Sequence, residues 1–390
     1  RSSLGVIGAK YIAVIRGVVG IFMFGVQTFF IAKAIGYLLR ILIFTVNREI
    51  MDNEVFLTFF MGMNLLDIIS FIFTLYIQYI LFSKGQSLTR SIIKFSSYFV
   101  YFGLTIFLIL ITENFHDVVK AAELSLSFSN FVSKSNIGPL MSVTGTLFAF
   151  FSIIILNFGD FSRYVKNNDQ LIKGNLTLML NFIFFSVFTI SIVLGADIIL
   201  SKKSIEVSGL LTNPNDIVGK LDNTFLSVIV IIFILVASSS TNLIANYIPS
   251  QNILINLIPN KLNLKRAGLI IISISFFVGL FWLPVLSQIG ILSILDTIGS
   301  FFGPIFGVVI ADYFVIKGSK IDNKHIYSLE SDGSYFYSKG WHLKGLYAIF
   351  IGFIFASSTI WNINLNFLQS FAWIIGAIIS FVTYYLLASK

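Results

Sequence analysis

Ten stretches of this chain are long and apolar enough to cross a lipid bilayer, and no other feature narrows its folding options as much. They run over 14–44, 56–83, 91–112, 141–160, 174–200, 223–250, 266–286, 291–316, 345–362 and 367–388. A helix needs about 20 apolar residues to span the hydrocarbon core. There every backbone N–H and C=O must be paired within the segment, which favours helices. Only 11% of the 390 residues are charged and mean hydropathy is +0.91, whereas soluble domains carry about 25% charged residues. So few charges cannot cover a water-facing surface of this size. The chain is expected to be an all-α integral membrane protein held in the lipid bilayer. Its first stretch is long enough to tilt or to protrude.

The distribution of basic residues tests this division into spans. Of the 26 lysines and arginines, eighteen fall on one side, from Arg1, Lys10 and Arg16 through Lys261, Lys265 and Arg266 to Lys317, Lys344 and Lys390. Six fall on the other side: Arg48, Lys120, Lys134, Lys202, Lys203 and Lys220. Lys33 and Arg40 lie in the outer part of the first stretch, where they are expected to snorkel. Basic residues are retained on the cytoplasmic side, so both ends are expected to be cytoplasmic, in a cell (inner) membrane. The same bias explains the net charge of +8 without nucleic acid as a partner. The absence of cysteine excludes disulfides and thiol chemistry. His116, His325 and His342 all lie outside the apolar runs. Little remains from which to build a membrane-embedded enzyme. Oligomeric state is not legible.

Polar residues inside spans are costly and mark candidate sites. The segment from Ala237 to Asn246 carries Ser240, Thr241, Asn242 and Asn246. Residues 242 and 246 share one helix face, and 237, 240 and 241 share another. Such groups either join neighbouring helices or offer oxygens to a small hard cation and an amide to a polar solute. Gln27, beside Gly25, is a mid-span amide with the same two readings. Asn157 and Gly159 are placed to interrupt a helix, and Asp160 and Arg163 to pair. Asp312 is spaced to pair with Lys317 near a helix end, after Gly303, Pro304 and Gly307, which permit bending and close packing. Asp67 and Asp296 also lie in or near spans, and either is a candidate proton relay.

Four motifs together resemble the nucleobase:cation symporter-1 family, whose members carry nucleobases, hydantoins, allantoin and related vitamins such as thiamine. They are the opening RSSLGVIGAK with Arg16 and Phe24-Gly25-Val26-Gln27; Asn157-Phe-Gly-Asp160-Phe-Ser-Arg-Tyr164; Gly303-Pro304 through Ala311-Asp312-Tyr313; and Tyr327, Asp332-Gly333, Tyr335, Tyr337 and Gly340-Trp341. The resemblance implies a leucine-transporter-type inverted-repeat bundle that works by alternating access. Residues 1–112 would be the remainder of the first repeat, 141–316 the second, 317–344 a cytoplasmic loop and 345–390 two peripheral helices. Aligned this way, the ten spans are ten of an expected twelve. The family's first two helices, one of which completes the sodium site, would precede Arg1. A chain lacking them is not expected to transport alone.

The resemblance also implies site residues. Ala237, Ser240 and Thr241 would hold part of a Na+ site. Gln27 and Asn246 would hydrogen-bond the substrate, with Asn242 and Phe150 beside them. Met23 and Phe151 occupy positions where the family stacks aromatics on the substrate ring. Phe151 keeps a ring face, whereas Met23 offers a softer sulfur contact; this widens the expected substrate from a flat pyrimidine, purine or hydantoin to differently shaped heterocycles. No cofactor is implied beyond the coupling ion. The alternatives are proton coupling through an acid such as Asp67, or an inactive truncated transporter fragment.

Overall fold

The computed structural model describes residues 1–47, 49, 58–84, 86–111, 116, 119–120, 134–163, 165–202, 224–328 and 330–389. Arg48, Tyr164, Lys203, Lys220 and Lys390 lie outside the described residues. The elements in order are α1 (Gly5–Val46), the hairpin β1 (Phe59–Phe60) and β2 (Met63–Asn64), α2 (Leu65–Ser83), α3 (Gln86–Ile111), α4 (Lys134–Leu156) and α5 (Phe158–Ser162). They continue with α6 (Asn168–Lys202), α7 (Thr224–Thr241), a π-helical turn (Asn242–Tyr247), α8 (Ile248–Leu257) and α9 (Leu264–Leu280). The last are α10 (Ile291–Ile310), a second π-helical turn (Ala311–Ile316), α11 (Leu343–Trp361), a 3₁₀ segment (Ile363–Phe371) and α12 (Ala372–Ala388).

Among the described residues, eight helices are long and apolar enough to cross a membrane, or nine when α9 is joined to Trp282–Ile289 across a 51° bend. These nine correspond to nine of the ten apolar stretches. The remaining stretch, 91–112, forms α3, whose far end runs into residues outside the described set. The 42 residues of α1 make a helix about 60 Å long. That is twice the hydrocarbon thickness of about 30 Å, so α1 must tilt or extend beyond it.

One boundary differs from the apolar pattern. Residues 59–64 fold as the β1–β2 hairpin rather than as the start of a helix. Gly62 sits at φ 76°, a turn conformation that glycine adopts without strain. Asn64 then caps α2, its side chain accepting from the Asp67 N–H at 3.0 Å. Local turn and cap chemistry has overridden hydrophobicity here.

The helices pack in two groups. The first is built on α1, which meets α2, α7, α8 and α9; the second on α10, which meets α4, α11 and α12. At Gly25, α1 approaches α9 so closely that an added Cβ would lie 2.8 Å from the Val278 Cβ. The Pro304 carbonyl accepts from the Ser380 hydroxyl at 2.8 Å, tying α10 to α12 beside Gly303 and Gly307. The loop 317–344 folds back over the first residues of the chain. There the Ile7 N–H donates to the Gly340 carbonyl (2.8 Å) and the His342 N–H to the Leu4 carbonyl (3.0 Å).

Candidate functional site

The π turn at Asn242–Tyr247 interrupts the long helix formed by α7 and α8 at its polar cluster. A π turn widens the helix and re-aims its side chains, a device frequent at functional sites. It leaves Asn242 wholly buried and Asn246 nearly so, against α1. Asn242 Nδ2 donates to the Phe24 carbonyl (3.2 Å) and to Thr28 Oγ1 (3.0 Å). Asn246 Nδ2 donates to Asn242 Oδ1 (2.9 Å) and to Gln27 Oε1 (3.0 Å). Gln27 Nε2 in turn donates to the Ser238 carbonyl (3.2 Å). Both sequence readings of Gln27 are therefore present at once: the amide joins two helices and faces open space.

Two backbone carbonyls, together with the Thr28 hydroxyl, set the direction of the amides in this cluster. Phe24 O only accepts, so Asn242 turns its NH2 toward it and its oxygen toward Asn246. Asn246 then spends both N–H groups inside the protein, leaving Oδ1 without a protein partner among the described residues. Ser238 O likewise takes one Gln27 N–H and leaves the other free. The pair thus offers one acceptor and one donor.

Gln27 lines a cavity of about 500 Å³ between α1, α3, α6 and α7, a volume typical of small-molecule sites. The cavity wall also includes Tyr101, Phe185, Thr189, Phe233, Ala237, Ser240 and Thr241. Ser240 Oγ donates to the Ala237 carbonyl at 2.9 Å and Thr241 Oγ1 to the same oxygen at 3.0 Å. Three neutral oxygens are thereby grouped at the cavity wall. They suit a hard cation, but a well-dehydrated ion needs about six ligands. Among the described residues no group of three or more His, Asp or Glu is arranged to hold a metal.

The aromatic candidates sit elsewhere. Phe151 meets Phe150 and Phe182, with ring centroids 5.3 and 5.0 Å apart, and neither Phe150 nor Phe151 lines the cavity. Met23 packs against the main hydrophobic core. Phe233 and Phe185, which do line the cavity, carry no marker in a sequence with 43 phenylalanines.

The charged candidates are all neutralised except one. Asp67 pairs with Arg40 at 2.7 Å, and Arg40 also donates to Asn64 Oδ1 at 3.0 Å. Arg40 is therefore an ion-pair partner, not a snorkelling cation. Asp160 pairs with Arg163 at 3.4 Å, as the spacing indicated, and also with Arg16 at 3.2 Å. Arg16 Nε donates to Asn157 Oδ1 at 2.7 Å, at the break between α4 and α5, and Asn252 Nδ2 donates to Asp160 Oδ1 at 3.1 Å. Asp312 pairs with Lys317 at 2.7 Å. Asp296 is buried with no cationic partner among the described residues; it is hydrogen-bonded by Thr146 and by the Gln369 amide, the latter at 3.4 Å.

With this geometry in view, comparison with known proteins decides the family. Residues 1–376 match the model of the permeases for cytosine/purines, uracil, thiamine and allantoin. The chain belongs to this permease family. It is 26% identical to the allantoin permease of Bacillus subtilis (strain 168) over 392 aligned residues, covering 99% of this chain and 76% of that protein. It is also 26% identical to the purine-uracil permease NCS1 of Arabidopsis thaliana, covering 91% of this chain and 56% of the relative. Among solved structures, Mhp1, a nucleobase-cation-symport-1 family transporter in a closed conformation with bromovinylhydantoin bound, matches with a TM-score of 0.67 at 16% identity. That match covers 99% of this chain and 77% of Mhp1. The inward-facing conformation of Mhp1 matches almost equally, with a TM-score of 0.66. The permease thus has the leucine-transporter-type helical fold expected from its sequence, and it is a transporter, not an enzyme.

Proposed function

We propose that this permease imports a nitrogen heterocycle bearing an N–H beside a C=O, by alternating access and in symport with Na+. The observation that carries the reading is the fixed polarity of the amide pair. Asn246 Oδ1 accepts, Gln27 Nε2 donates, and the first of these has no protein partner among the described residues. Cyclic imides, ureides and lactams present the complementary edge, and uracil-type oxopyrimidines, hypoxanthine-type oxopurines, hydantoin and allantoin all contain it. The names of the relatives, allantoin permease and purine-uracil permease, support the same class. Met23, Phe150 and Phe151 would reach the ligand only through a rearrangement of α4 and α1 as the site closes.

Sodium is favoured over protons because Ala237, Ser240 and Thr241 already group three oxygens, whereas Asp67 is held by Arg40. Groups outside these three would complete the ion's shell, and the cation would supply the energetic coupling of substrate to the membrane gradient. The 18-to-6 split of basic residues supports a cytoplasmic location for both ends.

The test is radiolabelled uptake of uracil, allantoin, hydantoin and hypoxanthine by cells expressing the full reading frame. Assays run with Na+, with choline in its place, and with a protonophore. We expect Na+-dependent uptake of at least one compound, lost in Asn246→Ala and Gln27→Ala. Uptake that ignores Na+ but collapses with the protonophore would overturn the sodium assignment. Uptake of none of the panel would overturn the substrate class.

A further inference from the structure

Behind the amide pair, two side chains that never touch the cavity complete its wiring. Thr28 is fully buried and Gln78, on α2, is 3% exposed. Thr28 Oγ1 accepts from Asn242 Nδ2 at 3.0 Å, and its single hydrogen goes to Gln78 Oε1 at 2.9 Å. Gln78 Nε2 finds no partner among the described residues. Gln78 falls on the buried stripe Leu66, Ser70, Thr74, Gln78 and Phe82 of α2. A leucine there would pack without leaving a buried N–H unpaired, a defect folds normally avoid. Packing alone therefore does not account for a glutamine at this position.

The chain of hydrogen bonds does account for it. A hydroxyl has one hydrogen, so a Thr28 that receives Asn242 must donate elsewhere. The Gln78 carbonyl oxygen takes that donation and locks Thr28 as an acceptor toward Asn242. Asn242 is then held by two acceptors, Phe24 O and Thr28 Oγ1, and presents its oxygen to Asn246. Through this chain α2 reinforces the orientation of Asn242, and hence that of Asn246, whose amide bonds Gln27 at the cavity wall.

We propose that Thr28 and Gln78 are positioning residues for the ligand, acting through Asn242 on the polarity of Asn246. The proposal rests on the reading of Gln27 and Asn246 as ligand-binding amides. Without the Thr28 hydroxyl, one of the two acceptors holding Asn242 is lost. Asn246 then samples both amide orientations, and the site discriminates less between a ligand that donates an N–H and one that does not.

The experiment measures uptake by Thr28→Val, Thr28→Ser and Gln78→Met in cells, normalised to surface protein, with thermal stability in detergent measured in parallel. The probes are the best-transported compound of the panel above and its N-methyl derivative as competitor. Thr28→Val is expected to raise KM by about tenfold, the value of one hydrogen bond, with kcat within about twofold. The preference for the parent over the N-methyl compound should shrink by a similar factor. Thr28→Ser should restore both, and Gln78→Met should resemble Thr28→Val. The double variant Thr28→Val/Gln78→Met should be no worse than either alone, because both act in one chain.

An unchanged KM and preference in Thr28→Val would overturn the proposal. So would losses that track thermal stability and are not rescued by serine, which mark a packing role. Should Thr28→Val fail to reach the membrane, Gln78→Met carries the same test alone. If the wild type takes up none of the panel, the substrate reading falls and this one with it. If the wild type transports and the variants match it, only the positioning role falls.

Discussion

Replacing Lys317 with methionine would strand a carboxylate in one of the most enclosed places in the molecule. The Asp312 side chain is 1% exposed and that of Lys317 is 19% exposed. Asp312 Oδ2 accepts from Lys317 Nζ (2.7 Å) and Ser3 Oγ (2.8 Å), and Oδ1 accepts from the Tyr384 hydroxyl (2.6 Å). Lys317 Nζ also donates to the Ser2 carbonyl (2.7 Å) and the Tyr337 hydroxyl (3.2 Å). At 2.7 Å and an effective dielectric of 20, the pair's attraction is about 6 kcal/mol. Desolvation of several kcal/mol per ion offsets most of it. The net value of the pair is therefore small, yet the cost of breaking it on one side is large. Lys317→Met should lose about 3–5 kcal/mol, since only two hydroxyls remain on a buried carboxylate. Asp312→Asn should lose about 2–3 kcal/mol, because the ammonium keeps two neutral acceptors and some water. The double variant contains neither stranded charge and should be about 2–3 kcal/mol more stable than the two losses added together. Denaturant unfolding in mild detergent, followed by tryptophan fluorescence, measures this cycle. Additivity of the two losses within about 0.5 kcal/mol would refute the account.

Three further outcomes follow from the described contacts. His342 lies against the Tyr337 ring at 4.0 Å, and burial holds its imidazole below its ordinary pKa. The unfolded chain therefore binds the proton more readily, so the contribution of His342 to stability is complete above about pH 6.5 and is lost as pH falls toward the lower folded value. Thermal stability should drop less between pH 7.5 and pH 5 in His342→Gln than in the wild type; equal drops would contradict the assignment. Asn64→Ala removes both the α2 cap and an acceptor for Arg40, and calorimetry should register a loss of about 1–2 kcal/mol. Asp296→Asn removes a carboxylate that has no cationic partner among the described residues, so melting temperature and uptake should be unchanged or improved. A loss of uptake with normal folding would instead make Asp296 part of the transport cycle.

Much of the fold was legible because membrane solvation is a coarse and strict filter. A run of about 20 apolar residues is stable in the bilayer as a helix, and nine of the ten runs form helices, one of them bent, long and apolar enough to cross it among the described residues. Pairings within one turn or two were legible as well. Asp160 with Arg163 and Asp312 with Lys317 follow from helical spacing. The start of α2 was not, because a glycine turn and an asparagine cap act locally against a hydrophobic background.

For the candidate site, the sequence by itself nominated residue types and faces: Gln27, Asn242 and Asn246 as amides, and Ala237, Ser240 and Thr241 as oxygens. Only the tertiary structure decided which of them meet. Asn246 and Gln27 are 219 positions apart, and their bond exists because α1 lies against the π turn. Arg40 looked like a snorkelling cation until packing of α1 on α2 brought it to Asp67. Gln78 is a mid-span amide of the same kind as Gln27 and passed unmarked, since its importance lies wholly in what it touches. Apolar burial depends on composition over a whole helix and survives in one dimension. Hydrogen-bond polarity depends on single atoms within about 3 Å, and that information arises only when the helices are packed.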